Sequence, residues 1–214
     1  MKRKSWLLPR TDAGDTYYLT MGYARLHLAV TNAANALLAD DPLALLIGML
    51  LDQQIPMEKA FTSPQVLAER MGTARLDAQA IADTDPDRLE ELFRQPPALH
   101  RFPAAMAKRV QELCRALVER FDGQPSRLWT EAETGADLVR RLTGLPGFGE
   151  QKAKIFTALL GKQFQVRPAG WREAAGSYGD EGSFRSVADV VDADSLVKVR
   201  AFKQQQKAAA KAAK

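Results

Sequence analysis

Residues 143–156, TGLPGFGEQKAKIF, set three glycines, a proline and two lysines between two apolar stretches. Glycine takes positive φ values at no steric cost and lets another molecule approach the backbone closely. Gly149 falls where a second helix would begin, and the first N–H groups of a helix, unpaired and at its positive end, suit an anion. Lys152 and Lys154 lie within the next turn and a half and add charge where a phosphate would lie. Phosphate binding by Gly147, Gly149, Lys152 and Lys154 is therefore one reading. An ordinary helix corner, with the glycines serving packing alone, is the other.

The elements that must position this stretch are helices. Leu138, Leu142 and Leu145 line one face before the glycines, and Ile155, Leu159 and Leu160 line one after them, so the two helices of the hairpin (138–161) must pack together. Apolar residues recur at three- and four-residue spacing through most of the chain, and the one strand-like alternation is Leu26 to Val30. The fold class expected is an all-α, two-lobed helical bundle. Asp41-Pro42, Ser63-Pro64 and Asp85-Pro86 each place a capping side chain before a proline at a first helical position. The pattern predicts helices near 32–39, 42–54, 64–71, 77–83, 86–94, 103–121, 134–143, 149–161, 184–190 and 194–210. Residues 162–182, rich in glycine and carrying Pro168, read as a long loop.

Composition narrows the function classes. Apolar residues make up 46% and charged residues 26%, a globular balance. The apolar run Leu43 to Leu51 is far shorter than the roughly 18 residues of a membrane span. The N-terminus, MKRKSWLLPRTDAGD, has too short an apolar patch for export, so an intracellular, cytoplasmic protein is expected, nucleoid-associated if bacterial. A single cysteine, Cys114, excludes an iron–sulfur cluster, and His27 and His100 are not in ligand-like spacing, so no cofactor is expected. Net charge is only +4, but Lys198, Arg200, Lys203, Lys207, Lys211 and Lys214 follow Ser195 without an acid among them. Lys203, Lys207 and Lys211 would share one helix face, and such a basic end invites nucleic acid.

Leu145-Pro146-Gly147-Phe148-Gly149, followed by Lys-Ala and an apolar helix, resembles the helix–hairpin–helix element of the HhH-GPD base-excision DNA glycosylase superfamily. In that superfamily the hairpin amides grip one DNA strand through its phosphates. DPLALLIGMLLDQQIPMEKAF, residues 41–61, is similar to its first core helix, which opens at Asp-Pro and closes on a Gln-Gln pair at the DNA surface. The resemblance spans roughly residues 41 to 165. It implies that Gln53 or Gln54 reaches into the duplex beside an extruded base. It also allows a monovalent cation at the hairpin carbonyls.

Two departures from the superfamily pattern bear on chemistry. The resemblance places Gln151 where bifunctional members carry a lysine, and an amide cannot form a Schiff base. Lys152 is about 100° further around the helix. The superfamily's aspartate position falls within Arg167-Pro168-Ala169-Gly170, where there is no acid. Glu173, Asp180 and Asp52 are the substitutes at hand. Trp171 and Tyr178, flanked by Arg167 and Arg172, are either core residues or a surface on which an unpaired base stacks.

The expected organisation is an extension over 1–30, a helical domain over 31–195, and a basic Ala/Lys-rich end over 196–214. The expected function is binding of double-stranded, damaged DNA by a monomer. Two outcomes stand open: a monofunctional glycosylase without AP-lyase activity, or a non-catalytic binder of damaged, bent or abasic DNA.

Overall fold

A computed structural model describes residues 26–212 of the chain. The expected N-terminal extension falls outside the described residues as far as residue 25, as does Lys214. Every extended element among the described residues is a helix, and the only β-type contact is an isolated bridge between Thr134 and Ala169. Leu26 to Val30, the strand-like alternation, forms no strand; Leu26 and Leu28 are simply buried. No single helix among the described residues is long and apolar enough to cross a membrane.

The chain divides into two compact units. One covers Ala29–Glu131; the other joins Leu26–Leu28 to the chain from Ala132 onward.

The first unit holds α1 (Asn32–Asp40), α2 (Pro42–Leu51), α3 (Met57–Arg70), α4 (Ala78–Asp83), α5 (Pro86–Arg94), α6 (Pro103–Phe121) and the single turn α7 (Arg127–Thr130). Its axis is α2, whose residues from Leu43 to Leu51 are all buried. Asp41 starts that helix: its carboxylate accepts the N–H groups of Leu43 (2.9 Å), Ala44 (3.2 Å) and, across the fold, Leu76 (2.9 Å). Burial pushes the Asp41 carboxyl above its ordinary value, and those donated bonds oppose the rise. Cys114 is buried in α6, and burial pushes its thiol up too, which leaves it inert.

Three boundaries differ from the sequence reading. α3 does not start at Ser63-Pro64 but at Met57, with Pro64 inside it. An interior proline forfeits a backbone bond. Here Met57, Ala60 and Phe61 must be buried against α2, and Ser63 Oγ, with one proton to give, lies 2.8 Å from both Lys59 O and Leu99 O. α2 stops at Leu51 because Asp52 leaves helical geometry at φ −70, ψ 72, and Gln54 sits at φ +57. Instead of a helix over 184–190 there is one 3-10 turn, Val187–Asp189, closed by a reciprocal Ser186/Asp189 capping box.

The second unit holds α8 (Gly135–Thr143), α9 (Glu150–Gln163), α10 (Trp171–Ala175) and α11 (Ala193–Ala212). Residues 162–182 are not a free loop. They carry α10 and a 3-10 turn over Gly176–Tyr178, and Trp171 is buried. Its ring lies on Gly161 of α9, where a Cβ would come within 2.3 Å of the indole. Its backbone lies on Gly135 of α8, where a Cβ would meet Trp171 Cα at 2.4 Å and Gly170 O at 2.7 Å. Packing, not base stacking, is thus the use of Trp171.

Gly135→Ala is expected to destabilise this unit by about 3 kcal/mol, because the new methyl meets backbone that cannot rotate away. Thermal unfolding followed by circular dichroism would test it; an unchanged midpoint would remove the notch from the account. The segment after α10 is tied down in turn by α9. Lys162 Nζ reaches Asp189 Oδ1 (2.5 Å), Asp180 O (2.7 Å) and Ser183 Oγ (3.2 Å), while Gln163 Nε2 donates to Val187 O, Ala188 O and Val190 O.

Candidate nucleic-acid interface

In the second unit the glycine stretch forms a tight hairpin between α8 and α9. Phe148 and Leu145 are its buried anchors; Phe148 packs edge-on to Phe156 at 6.1 Å between ring centres and donates its N–H to Leu145 O. Anchoring these side chains inward turns Gly147 and Gly149 outward, and both are exposed. Gly147 has φ +80, a left-handed conformation that favours glycine. Gly149 caps α9 with no side-chain bond and has open space where a Cβ would be. Among the described residues no backbone acceptor takes the N–H of Gly147, Gly149 or Glu150. Gly149 and Glu150 stand at the positive end of a 14-residue helix, with Gly147 just before it.

Side chains modify that cradle. Lys154 Nζ lies 2.6 Å from Glu150 Oε1, and this pairing holds the Glu150 carboxyl below its usual range. Lys154 is therefore shared between an acid and any phosphate, whereas Lys152 lies half-buried one turn into α9. Gln151 is exposed, and its Nε2 donates to Tyr178 Oη at 2.9 Å. Of Trp171 and Tyr178, Tyr178 is the one brought to the hairpin; Trp171 is in the core under Arg167 and Arg172, whose guanidinium carbons lie 5.9 and 4.9 Å from its ring centre.

The acids separate clearly. At Arg167 to Gly170 the chain turns tightly: Arg167 Nε donates to Gly161 O (2.9 Å), Gly135 N–H to Ala169 O (2.7 Å) and Trp171 N–H to Pro168 O (3.1 Å). Glu173, in the first turn of α10, folds back on this turn, with Oε2 3.9 Å from where a Cβ on Gly170 would stand. It is exposed and makes no hydrogen bond or ion pair among the described residues. Asp180 gives its carbonyl to Lys162, and its carboxylate lies 4.0 Å from Arg185 Nη2.

In the first unit Asp52, Gln53 and Gln54 form the corner after α2. Gln53 is held: its Nε2 donates to Leu50 O (2.8 Å) and contacts Met106 Sδ (3.5 Å), and its Oε1 accepts from Arg109 Nη1 (3.1 Å). Buried His100 accepts the Phe102 N–H on Nδ1 (3.1 Å), so its Nε2 carries the proton and donates to Gln53 O (2.9 Å). Gln54, left-handed and exposed, is the member of the pair that projects outward. Sequence reasoning missed Phe102, which stays 42% exposed with Arg101 5.4 Å over its ring. The available signal was an apolar ring at the N-cap position before Pro103, where it cannot cap the helix.

The hairpin and the Gln53–Gln54 corner fall inside one family match. The model of the HhH-GPD superfamily of base excision DNA repair proteins matches residues 47–213. The chain belongs to that superfamily. No curated protein and no solved structure matches it. HhH-GPD membership assigns a glycosylase-like role in base excision repair and DNA as the partner. The all-helical architecture of the described residues is consistent with that membership.

Proposed function

We propose that the protein is a monofunctional DNA glycosylase that hydrolyses the N-glycosidic bond of a damaged base in duplex DNA. In this reading the amides of Gly147, Gly149 and Glu150, with Lys152 and Lys154, hold the phosphates of one strand. Gln54 stands in the stack beside the extruded base, and Gln53, fixed by His100 and Arg109, sets its corner. Glu173 supplies the acid. What supports the reading is the Glu173 carboxylate, which makes no ion pair among the described residues and has Oε2 3.9 Å from where a Cβ on Gly170 would stand, beside the turn to which the resemblance assigns the superfamily's aspartate.

The chemistry asks for a carboxylate there. As the bond breaks, the base leaves with the electron pair and positive charge develops on the sugar. A fixed negative group stabilises that charge, and the attacking water gives its proton to the carboxylate as the new C–O bond forms. Gln151, bonded to Tyr178, offers no amine nucleophile, so the reaction ends at the abasic site without strand cleavage. A monovalent cation would be held by carbonyl oxygens of the hairpin turn, where those of Leu142 and Leu145 already face inward to accept N–H groups. It would add positive charge beside the phosphate.

A second reading, binding without excision, is favoured by Arg167: its guanidinium occupies the same turn and would oppose a cationic transition state. Mass-spectrometric detection of free base decides between them, using duplexes with alkylated, oxidised or deaminated bases at saturating protein, with binding confirmed in the same samples. Release of one base class is expected. Saturated binding with no release from any duplex would establish the binder.

A further inference from the structure

We propose that the groove between residues 183–185 and α11 is a second nucleic-acid site, which takes an unpaired DNA strand by its bases as well as its phosphates. The site is separate from the hairpin and does not depend on that reading.

The groove holds about 390 Å³ and is lined by Ser183, Phe184, Arg185, Lys198, Ala201, Phe202 and Gln205. Its composition is what an unpaired nucleotide needs. Two half-buried phenyl rings offer apolar faces and edges to a base, and each carries a cation: Arg185 lies 5.5 Å from the Phe202 ring centre and Lys198 4.6 Å from that of Phe184. A guanidinium above a ring keeps N–H groups with which to meet a phosphate. Gln205 adds an amide able to donate and accept at a base edge, while the Ser183 hydroxyl is spent on Asp180 O and Lys162 and fixes the groove's wall. No carboxylate lines the groove; Asp180, 4.0 Å from Arg185, stands at its rim.

Bases in a duplex keep their faces stacked on one another and cannot use these rings, whereas an unpaired strand can. An acidic peptide would need the two cations but would leave the rings without a role. The rest of α11 is also basic, but on its other side. Counting 100° per residue, Arg200, Lys203, Lys207 and Lys211 fall on the side of the helix opposite the groove, and the helix carries no acid after Asp194. The groove is held at a fixed place in this unit. Lys162, near the end of α9, bonds Asp180 O and Ser183 Oγ, while the hairpin opens the same helix about 20 Å away.

The test is fluorescence anisotropy with two labelled strands of about 12 nucleotides, one of thymine and one of abasic sugars, beside a labelled duplex. The whole protein should bind the thymine strand more tightly than the abasic one. Phe202→Ala and Arg185→Gln should each weaken thymine-strand binding about tenfold and leave duplex affinity unchanged. Arg185→Gln carries the test if Phe202→Ala loses helix content by circular dichroism. Equal binding of the two strands, or thymine-strand binding unaffected by Arg185→Gln, would overturn the proposal. So would competition by a polyglutamate peptide as strong as that by unlabelled thymine strand. A failure of the hairpin reading looks different: duplex affinity would then survive changes at Gly149 whatever the strands do.

Discussion

Gly149→Asp is expected to weaken duplex binding about 100-fold while leaving the fold intact or slightly more stable, because a like charge set against a phosphate costs several kcal/mol. The two effects have separate origins in one position. Gly149 is the N-cap of α9 at φ −83 and ψ 172, a conformation any residue adopts, and a Cβ there meets nothing within 4 Å. An aspartate at an N-cap accepts an N–H two or three residues on and faces the positive helix end, which adds roughly 0.5 kcal/mol over glycine. The same carboxylate then occupies the N–H groups and the space a phosphate would use. Melting temperature and anisotropy on a labelled duplex are measured on one preparation. A rise in melting temperature with undiminished DNA affinity would show that the hairpin is not the interface. Ordinary misfolding lowers both and is recognised by that.

Glu173→Gln is expected to slow base release about 100-fold or more at saturating protein, with duplex affinity unchanged, the size typical of removing one electrostatic stabiliser from a transition state. The amide has nearly the same volume and, since Glu173 is exposed and unpaired, the change disturbs no packing or buried bond. Single-turnover release on the responsive lesion isolates the chemical step from product release. Asp180→Asn is the internal control: its carbonyl, not its carboxylate, holds Lys162, so the segment stays in place. Turnover lost in Asp180→Asn but kept in Glu173→Gln would move the acid one segment along the chain. Turnover kept in both would remove the surrogate-acid idea.

The helices that sequence located well are those whose ends are written locally. α5 and α6 open on prolines at their first positions, Pro86 and Pro103, and their bounds, 86–94 and 103–121, are those expected. α3 was misread because Ser63-Pro64 carries a helix-start signature, yet the demand to bury Met57, Ala60 and Phe61 outweighs one forfeited backbone bond. α10 was hidden for the opposite reason. Its stretch is full of glycine and polar residues, and the seat that orders it is built by Gly135 and Gly161, distant in sequence.

In the site, the hairpin was legible because glycine spacing between two apolar helix stripes is a local fact. The Gln pair was legible only as a pair. Which one is held and which is displayed depends on His100, Met106 and Arg109, about 50 residues away. Glu173 could be named but not placed, since its return over the Gly170 turn requires the helix that sequence had hidden.

The three residues Leu26–Leu28 belong to the second unit although the rest of that unit begins at Ala132. A chain made from its N-terminus therefore completes the first unit while these leucines still lack the partners that cover them. The second unit closes only after more than a hundred further residues have emerged. Dissection is constrained in the same way. A fragment starting at Ala132 would contain the hairpin and the proposed acid Glu173, yet would leave bare the surface that Leu28, fully buried, covers. Supplying residues 26–28 on a short linker at the fragment's end, as in a circular permutant, is the route to a hairpin unit that folds by itself.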